Sequence, residues 1–181
     1  IQPPTYDYVA KALSELGLSA ESAALTAFTD AILETSVHTA KVEPPEPGME
    51  RALAALSDHG VRLACVSNAF MGASVLDKIM AERGLGEYLE FTVSSCELGY
   101  RKPHPAIYQA ALDRLGIDGP EAIFVGDRLD ADVEGPAKLG MRTVLTLQYR
   151  QEDHTKALVK PDHVIEHLSD LVPYVAGLLK S

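Results

Sequence analysis

Apolar positions divide the chain into a helical first part and a second part in which the periodicity alternates. Over residues 4–17 and 19–39 they recur every three or four residues, which is the spacing of amphipathic helices. The segment VEPPEPG at 42–48 is too rich in proline for a helix or a strand, so we interpret it as a linker or hinge. The pattern predicts a helical unit over 1–43 and a second unit over 44–181.

Behind the linker, short apolar runs alternate with helical periodicity. Strands are predicted at 61–67, 91–94, 122–126, 142–147 and 163–165. Helices are predicted at 49–59, 73–83, 105–115, 131–139 and 168–179. Because strands that alternate with helices form βαβ units, the sequence predicts an α/β protein with a parallel sheet flanked by helices.

Composition narrows the class of partner. The 181 residues, 46% of them hydrophobic, suffice for one domain with a buried core and a small appendage. A count of 16 basic against 26 acidic residues gives a net charge of −10, without a basic stripe. Neither nucleic acid nor an anionic membrane surface is therefore an expected partner. The composition carries no signal for the oligomeric state.

The cysteines and the hydropathy pattern favour a cytoplasmic protein. Cys65 and Cys96 lack the spacing of metal ligands, so we interpret them as ordinary core thiols of a reducing compartment. No apolar run approaches the roughly 20 residues of a membrane span, and no signal peptide is recognisable in the sequence.

Three carboxylates follow the apolar run 122–125 within six positions: Asp127, Asp130 and Asp132. They fall in the turn between a predicted strand and a helix, and in parallel α/β sheets that turn lies at the carboxyl edge, where ligands bind. Repulsion among carboxylates falls when a divalent cation with oxygen ligands lies among them. For Asp130 or Asp132 taken alone, a cap of the next helix is an equally good interpretation, whereas the set of three favours a cation site.

Two further segments near strand ends carry groups that suit a phosphate. In VSNAF at 66–70, Ser67 and Asn68 stand beside the backbone donors of a turn, although Ser-Asn is also common turn chemistry. In the segment 97–112, two prolines hold the chain extended behind Lys102, so its ammonium can reach the same edge; a solvated lysine is the alternative. Hydroxyl, ammonium and carboxylates at three successive strand ends predict a phosphate-and-metal site.

The same segments resemble motifs of the haloacid dehalogenase-like hydrolase superfamily. VSNA looks like its second motif, GYRKPHPAIY its third and FVGDRLDADVEGPAKLGM its fourth, and PDHVIEHLSDL looks like the family's C-terminal segment. The similarity covers about residues 46–175. It implies a Rossmann-like fold, a small, partial helical cap contributed by residues 4–39, and phosphoryl transfer from a small phosphorylated metabolite with Mg²⁺ as cofactor.

The resemblance also implies roles for individual residues. Ser67 would bind the transferring phosphate, and Asn68 would assist it. Lys102 would stabilise the phosphate and the nucleophile. Asp127 would hold the metal, and Asp132 would support Lys102 or the metal shell. These five are the predicted site: Ser67 and Lys102 as catalytic groups, with Asn68 also at the phosphate, and Asp127 and Asp132 at the metal.

The first motif of the superfamily has no match in this chain. That motif is an Asp-x-Asp strand ending that supplies the nucleophile and the acid and base, whereas the one Asp-x-Asp here, at 130–132, belongs to the fourth motif. The chain starts at Ile1, and we expect the missing central strand upstream of it or on another chain. The leading expectation is a phosphatase that works through a phospho-aspartyl intermediate. A 2-haloacid dehalogenase, or an inactive binding or interaction module, is the alternative.

Overall fold

Helices alternate with short strands over most of the described chain, which comprises residues 5–17, 24, 29 and 48–180. The described helices are α1 (Thr5–Glu15), α2 (Met49–Asp58), α3 (Ala73–Glu82), α4 (Ser95–Leu98), α5 (Pro105–Leu115), α6 (Gly135–Ala137) and α7 (Leu171–Leu178). The strands of this computed structural model are β1 (Cys65–Ser67), β2 (Thr92–Ser94), β3 (Ile123–Gly126), β4 (Arg142–Thr146) and β5 (His163–Ile165). A π-helix spans Leu129–Glu134, and 3-10 turns lie at Gly86–Tyr88, Gly119–Glu121, His154–Lys156 and Leu168–Asp170. Within these residues, no helix is long and apolar enough to cross a membrane.

All the described strand pairs are parallel, and they form two sheets. β1 pairs with β2, and β4 lies between β3 and β5. Parallel pairs need a crossover connection, and helices supply it between β1 and β2 and between β3 and β4. The predicted α/β class, with parallel strands flanked by helices, is therefore confirmed.

The two sheets form one layer between two apolar cores. Val66 of β1 and Phe124 of β3 both belong to a core built largely on α5. Leu63, just before β1, and Val125 of β3 belong to a second core, which α2 and α7 cover. Successive residues of a strand point to opposite faces of its sheet. One face of both sheets therefore packs against the first core, and the opposite face of both sheets packs against the second.

This layer is interrupted between β1 and β3. Within the described ranges, no strand pairs with the second edge of either one. β2 is buried throughout and β4 over four of its five residues, whereas β1 is partly exposed throughout and only Phe124 is buried in β3. The expected single sheet is thus two sheets in the part of the chain that the structure describes.

Several predicted elements differ from the observed ones. The helix expected at 168–179 is divided into the 3-10 turn Leu168–Asp170 and α7, and α4 was not predicted. The strand expected at 61–67 is limited to Cys65–Ser67, because β2, its one described partner, is itself three residues long. The helix expected at 131–139 is a π-helix followed by the short α6. Pro136 lies at this junction, and its missing N–H removes one bond of a continuous α-helix.

The N-terminal predictions are tested only in part. The helix expected at 4–17 is present as α1. The helix expected at 19–39 and the linker at 42–48 lie outside the described residues, apart from residues 24, 29 and 48. The division into a helical cap over 1–43 and a core over 44–181 therefore stays a prediction.

A buried tyrosine fixes the junction of the π-helix and α6 against α5. The Tyr108 ring is fully buried, and its hydroxyl donates to the Ala131 carbonyl at 2.5 Å. Gly135 lies against this ring, so closely that a Cβ there would stand 2.7 Å from the Tyr108 Cζ atom. A side chain at position 135 can fit only if the ring moves within a packed core.

We expect Gly135→Ala to lower the free energy of unfolding by about 1–3 kcal/mol, because the added methyl overpacks the core at Tyr108. Gly177→Ala is the matched control: it also lies in a helix, with no atom within 4 Å of the added Cβ. Since alanine is the better helix former, the control is expected to gain about 0.5 kcal/mol. Urea denaturation followed by circular dichroism measures both, and equal changes in the two variants would contradict the assignment.

Candidate active site

The predicted site residues lie at three neighbouring turns of the sheet layer. Ser67 is the last residue of β1, and Asn68 follows it. Lys102 lies in the connection between α4 and α5. Asp127 directly follows β3, and Asp132 lies in the π-helix behind it. Contacts between side chains show which of these residues the fold brings together.

Asn68 is bound to the backbone of Lys102 on both sides of its amide. Its Nδ2 donates to the Lys102 carbonyl at 3.0 Å, and its Oδ1 accepts from the Lys102 N–H at 2.7 Å. This two-point contact fixes the Lys102 backbone next to the end of β1. Asn68 was predicted to assist at the phosphate, and its contacts favour doing so by positioning Lys102.

The Lys102 ammonium in turn pairs with Asp132. Its Nζ donates to Asp132 Oδ1 at 2.8 Å and lies 5.2 Å from the centroid of the Phe124 ring. The side chains are almost enclosed, with 15% of Lys102 and 3% of Asp132 exposed. The aromatic face adds a favourable interaction with the cation.

Asp132 also organises the turn that carries Asp127. Its Oδ2 accepts from the backbone N–H of Asp127 at 3.1 Å and from that of Arg128 at 3.0 Å. Lys102 and Asp127 are thus held on the two sides of one carboxylate, so the lysine and the acidic turn do meet. Both oxygens of Asp132 are engaged, which favours support of Lys102 among the predicted alternatives for this residue.

Gly126 makes the close approach of Asp132 to β3 feasible. A Cβ at position 126 would stand 2.5 Å from the Cβ atom of Asp132. Only glycine leaves room there for the carboxylate that bridges Lys102 and Asp127. The sequence contains this signal in the VGD triplet, where glycine stands between a strand and the first acid, although sequence reasoning assigned it no role.

Two predicted site groups have no hydrogen-bond partner among the described residues. The Ser67 side chain at the end of β1 is partly exposed, and its hydroxyl contacts no other described polar group. The Asp127 carboxylate is one-third exposed, and its nearest charged neighbour is Arg150, with Nε 3.6 Å from Oδ2. No contact joins Ser67 directly to Lys102 or Asp127, so its place in the same site stays a prediction.

Asp130 differs from the other acids of the turn. Arg128 forms two bonds to it, Nε to Oδ1 at 3.1 Å and Nη2 to Oδ2 at 2.9 Å. Donation by Arg128 holds the pKa of the Asp130 carboxyl below its usual range. The side chains of this pair are half exposed, and no described hydrogen bond or ion pair joins them to the side chain of Lys102 or Asp127, in keeping with the omission of Asp130 from the predicted site.

The acids provide one carboxylate with uncommitted oxygens for a metal. Among the described residues, no group of three or more His, Cys, Asp or Glu side chains is arranged to hold a metal ion. Mg²⁺ is nevertheless bound through one or two carboxylates together with waters and substrate phosphates. The open Asp127 carboxylate is compatible with that requirement as a single ligand, and Asp127 and Asp132 as metal ligands both stay predictions.

The described residues do not provide an activated nucleophile at this rim. Burial raises the pKa of the Cys65 thiol, which disfavours the reactive thiolate. The Ser67 hydroxyl has no base beside it within the described ranges, and a serine needs one to attack. Neither Cys65 nor Ser67 is therefore activated for attack by the described residues, and the predicted roles of the site residues stay predictions.

Fold and site together define an α/β protein of the parallel-sheet class with a polar rim built around a buried ion pair. The chain belongs to the haloacid dehalogenase-like hydrolase family, whose model matches residues 3–140. The resemblance seen in the motifs is thereby confirmed.

The chain is similar to curated phosphatases of this family. A glyceraldehyde 3-phosphate phosphatase of Methanopyrus kandleri is 31% identical over 138 residues, covering 75% of this chain and 58% of the relative. A phosphoglycolate phosphatase of Pectobacterium atrosepticum is 29% identical over 128 residues, covering 70% and 53%. A ribulose-1,5-bisphosphate 5-phosphatase of Halopiger xanaduensis is 30% identical over 137 residues, covering 72% and 56%. The chain thus spans between 53% and 58% of the length of these relatives.

Solved structures show the same fold. A HAD phosphatase from Thermococcus onnurineus matches with a TM-score of 0.66 at 24% identity, covering 91% of this chain and 69% of that one. A 2-haloacid dehalogenase from Pseudomonas syringae pv. Tomato matches with a TM-score of 0.72 at 25% identity, covering 96% and 70%. Since both activities occur on this fold, structural likeness does not choose between them.

The acidic turn contains one buried and one exposed ion pair, so the contribution of each to the free energy of unfolding can be compared. We expect Lys102→Met to lower the free energy of unfolding by about 3 kcal/mol, because it leaves Asp132 buried without its cation. Arg128→Met breaks an ion pair whose side chains are 50% and 54% exposed, so the expected cost is below about 1 kcal/mol. Adding Asp132→Asn to Lys102→Met should recover part of the loss. Similar costs for the two single variants, measured by urea denaturation, would show that Lys102 is not enclosed as described.

Proposed function

We propose that this chain supplies the phosphate-binding and metal-binding part of a magnesium-dependent phosphatase that acts on small phosphorylated metabolites. The nucleophilic aspartate comes from outside the described residues, and the reaction passes through a phospho-aspartyl intermediate. The contact chain from Asn68 through Lys102 and Asp132 to the Asp127 backbone is the observation that carries the proposal. It holds a cation and an open carboxylate together at one edge of a parallel layer, as phosphoryl transfer requires.

Lys102 neutralises charge on the transferring phosphoryl group. Its ammonium donates one hydrogen bond to Asp132 and has three protons in total, so donors remain for phosphate oxygens. The Asn68 amide fixes its backbone, and Asp132 fixes its ammonium, so little reorganisation is needed when the substrate binds. The Ser67 hydroxyl, which has no described partner, adds a further donor.

Asp127 is the proposed magnesium ligand. Its carboxylate accepts no hydrogen bond from the described residues, and it lies at the sheet edge beside the Lys102–Asp132 pair. Bound there, Mg²⁺ would offset the charge of the phosphoryl oxygens. Asp132 contributes indirectly, because it orients both the Asp127 turn and the lysine.

The interruption between β1 and β3 supports a strand supplied from outside the described residues. A parallel strand in that position would pair with both free edges and end at the rim, between Ser67 and Asp127. An aspartate at its end would face the phosphate held by Lys102. The cap over 1–43 would lie above the same edge and select the substrate, and a cytoplasmic location stays a prediction from composition.

Two other functions fit parts of the observations. A 2-haloacid dehalogenase shares the fold, but its reaction uses no metal and leaves the open Asp127 carboxylate without a role. A non-catalytic binding module agrees with the lack of an Asp-x-Asp strand ending in this chain. The phosphatase names of the relatives favour hydrolysis of a phosphate ester. Those names cover phosphorylated compounds both with and without a second anionic group, so they leave the substrate open.

We expect the intact gene product to hydrolyse p-nitrophenyl phosphate with Mg²⁺ and to lose activity with EDTA. Asp127→Asn should lower kcat/KM by at least about 100-fold, since it removes the charge that holds the metal. Asp130→Asn is the matched control, because Asp130 lies in the same turn but pairs with Arg128; its activity should change less than about threefold.

The outcomes separate the three functions. Equal losses in the two variants would contradict the assignment of Asp127 as the metal ligand. Chloride release from 2-chloropropionate without metal, in place of phosphate release, would identify a dehalogenase. An intact product that is silent in both assays would identify a binding module.

A further inference from the structure

We propose that Arg150 is a specificity-determining residue of this site, binding a second anionic group of the substrate apart from the transferred phosphoryl group. The inference rests on the proposed phosphatase function and adds a substrate class to it: phosphate monoesters that carry a carboxylate or a second phosphate.

The position of Arg150 follows from the pairing of β3 with β4. Gly126, at the end of β3, is in register with Leu145, and β4 ends one residue later. The segment 147–150 therefore leaves the sheet at the same edge as Asp127. Nε of Arg150 lies 3.6 Å from Oδ2 of Asp127, which places the guanidinium directly beside the proposed metal ligand.

The donors of Arg150 are uncommitted in the described part of the chain. Its contacts with Asp127 at 3.6 Å and with Glu152 at 4.0 Å are ion pairs too long for hydrogen bonds. Half of its side chain is exposed. By contrast, Lys102 and Arg128 each form an ion pair below 3 Å with an acid of the turn. A planar guanidinium with open donors is suited to bind a carboxylate or a phosphate through two parallel hydrogen bonds.

The order of charges explains why this anion differs from the transferred phosphoryl group. Lys102 is bound to Asp132, Asp132 is bound to the backbone of Asp127, and Arg150 lies beside the Asp127 carboxylate. In this order of contacts, Asp127 lies between the two cations. A phosphoryl group bound at Lys102 then leaves the Arg150 guanidinium to another part of the substrate, where charge-assisted hydrogen bonds favour an anionic group over a neutral one.

Matched substrates test the proposal on the intact gene product. 3-Phosphoglycerate and glycerol 3-phosphate differ in a carboxylate against a hydroxymethyl group, and glycerol 1,3-bisphosphate supplies a second phosphate instead. We expect Arg150→Ala to raise KM for the carboxylate or the bisphosphate substrate about 10- to 100-fold, the loss of a charge-assisted hydrogen-bond pair. KM for glycerol 3-phosphate and for p-nitrophenyl phosphate should change less than about threefold, the range of a minor surface effect.

Arg128→Ala is the control, because Arg128 is an equally exposed arginine of the same rim whose donors are bound to Asp130. It should leave all four KM values unchanged. Arg150→Lys should recover part of the loss, since a lysine keeps the charge but not the planar pair of donors. An increase in KM for 3-phosphoglycerate identifies the second anion as a carboxylate, and an increase in KM for glycerol 1,3-bisphosphate identifies it as a phosphate.

A uniform effect of Arg150→Ala on all four substrates, or no effect on any, would overturn the proposal and leave the phosphatase assignment intact. If the protein hydrolyses none of the four substrates, the proposed phosphatase function is wrong. Measurement of equilibrium binding then tests whether Arg150 binds a second anionic group. Calorimetric titration should then show weaker binding of 3-phosphoglycerate or glycerol 1,3-bisphosphate to Arg150→Ala than to the unaltered protein. Equal dissociation constants would overturn the inference.

Discussion

The ion pair between Lys102 and Asp132 is the contact on which the geometry of the rim depends. Asp132 is almost fully enclosed, and a carboxylate in that position is costly unless a cation and hydrogen bonds satisfy it. Lys102 supplies the cation, and the backbone of Asp127 and Arg128 supplies two donors. Because Asn68 holds the Lys102 backbone as well, one polar network joins the end of β1, the turn before α5 and the turn after β3.

This network spans the place where the sheet layer is interrupted. β1 and β3 contribute to the same two cores, yet no described strand pairs with both of them. Their partial exposure reverses the usual order, in which inner strands of a parallel sheet are covered on both faces. The cores and the Lys102 network thus connect the two strands on both sides of the interruption.

Much of this architecture was predictable from local sequence signals. The bounds of α5 at 105–115 and of β5 at 163–165 were predicted correctly, since proline and glycine mark the ends of that helix and a short β-branched run forms that strand. The pairing of Lys102 with Asp132 was predicted only through the family resemblance. The periodicity of apolar residues indicates which face of an element is buried. It does not indicate that the Asp132 carboxylate is neutralised by Lys102, a residue 30 positions away. The position of Arg150 beside Asp127 was missed, because it depends on the register of β3 with β4. The close approach of Asp132 to Gly126 was also missed, because it depends on the distance between two atoms.

The three acids behind β3 show why a cluster of like charges can be stable without acting as a unit. Each has its own environment: Asp132 is neutralised by a buried lysine and Asp130 by an exposed arginine, whereas Asp127 has an adjacent guanidinium that forms no hydrogen bond with it. Sequence alone suggested that a single cation would relieve all three. In the structure, two of the three acids are instead neutralised by separate basic side chains of the same chain. One carboxylate is left at the rim with the capacity to bind something from outside, which is the property that a ligand site requires.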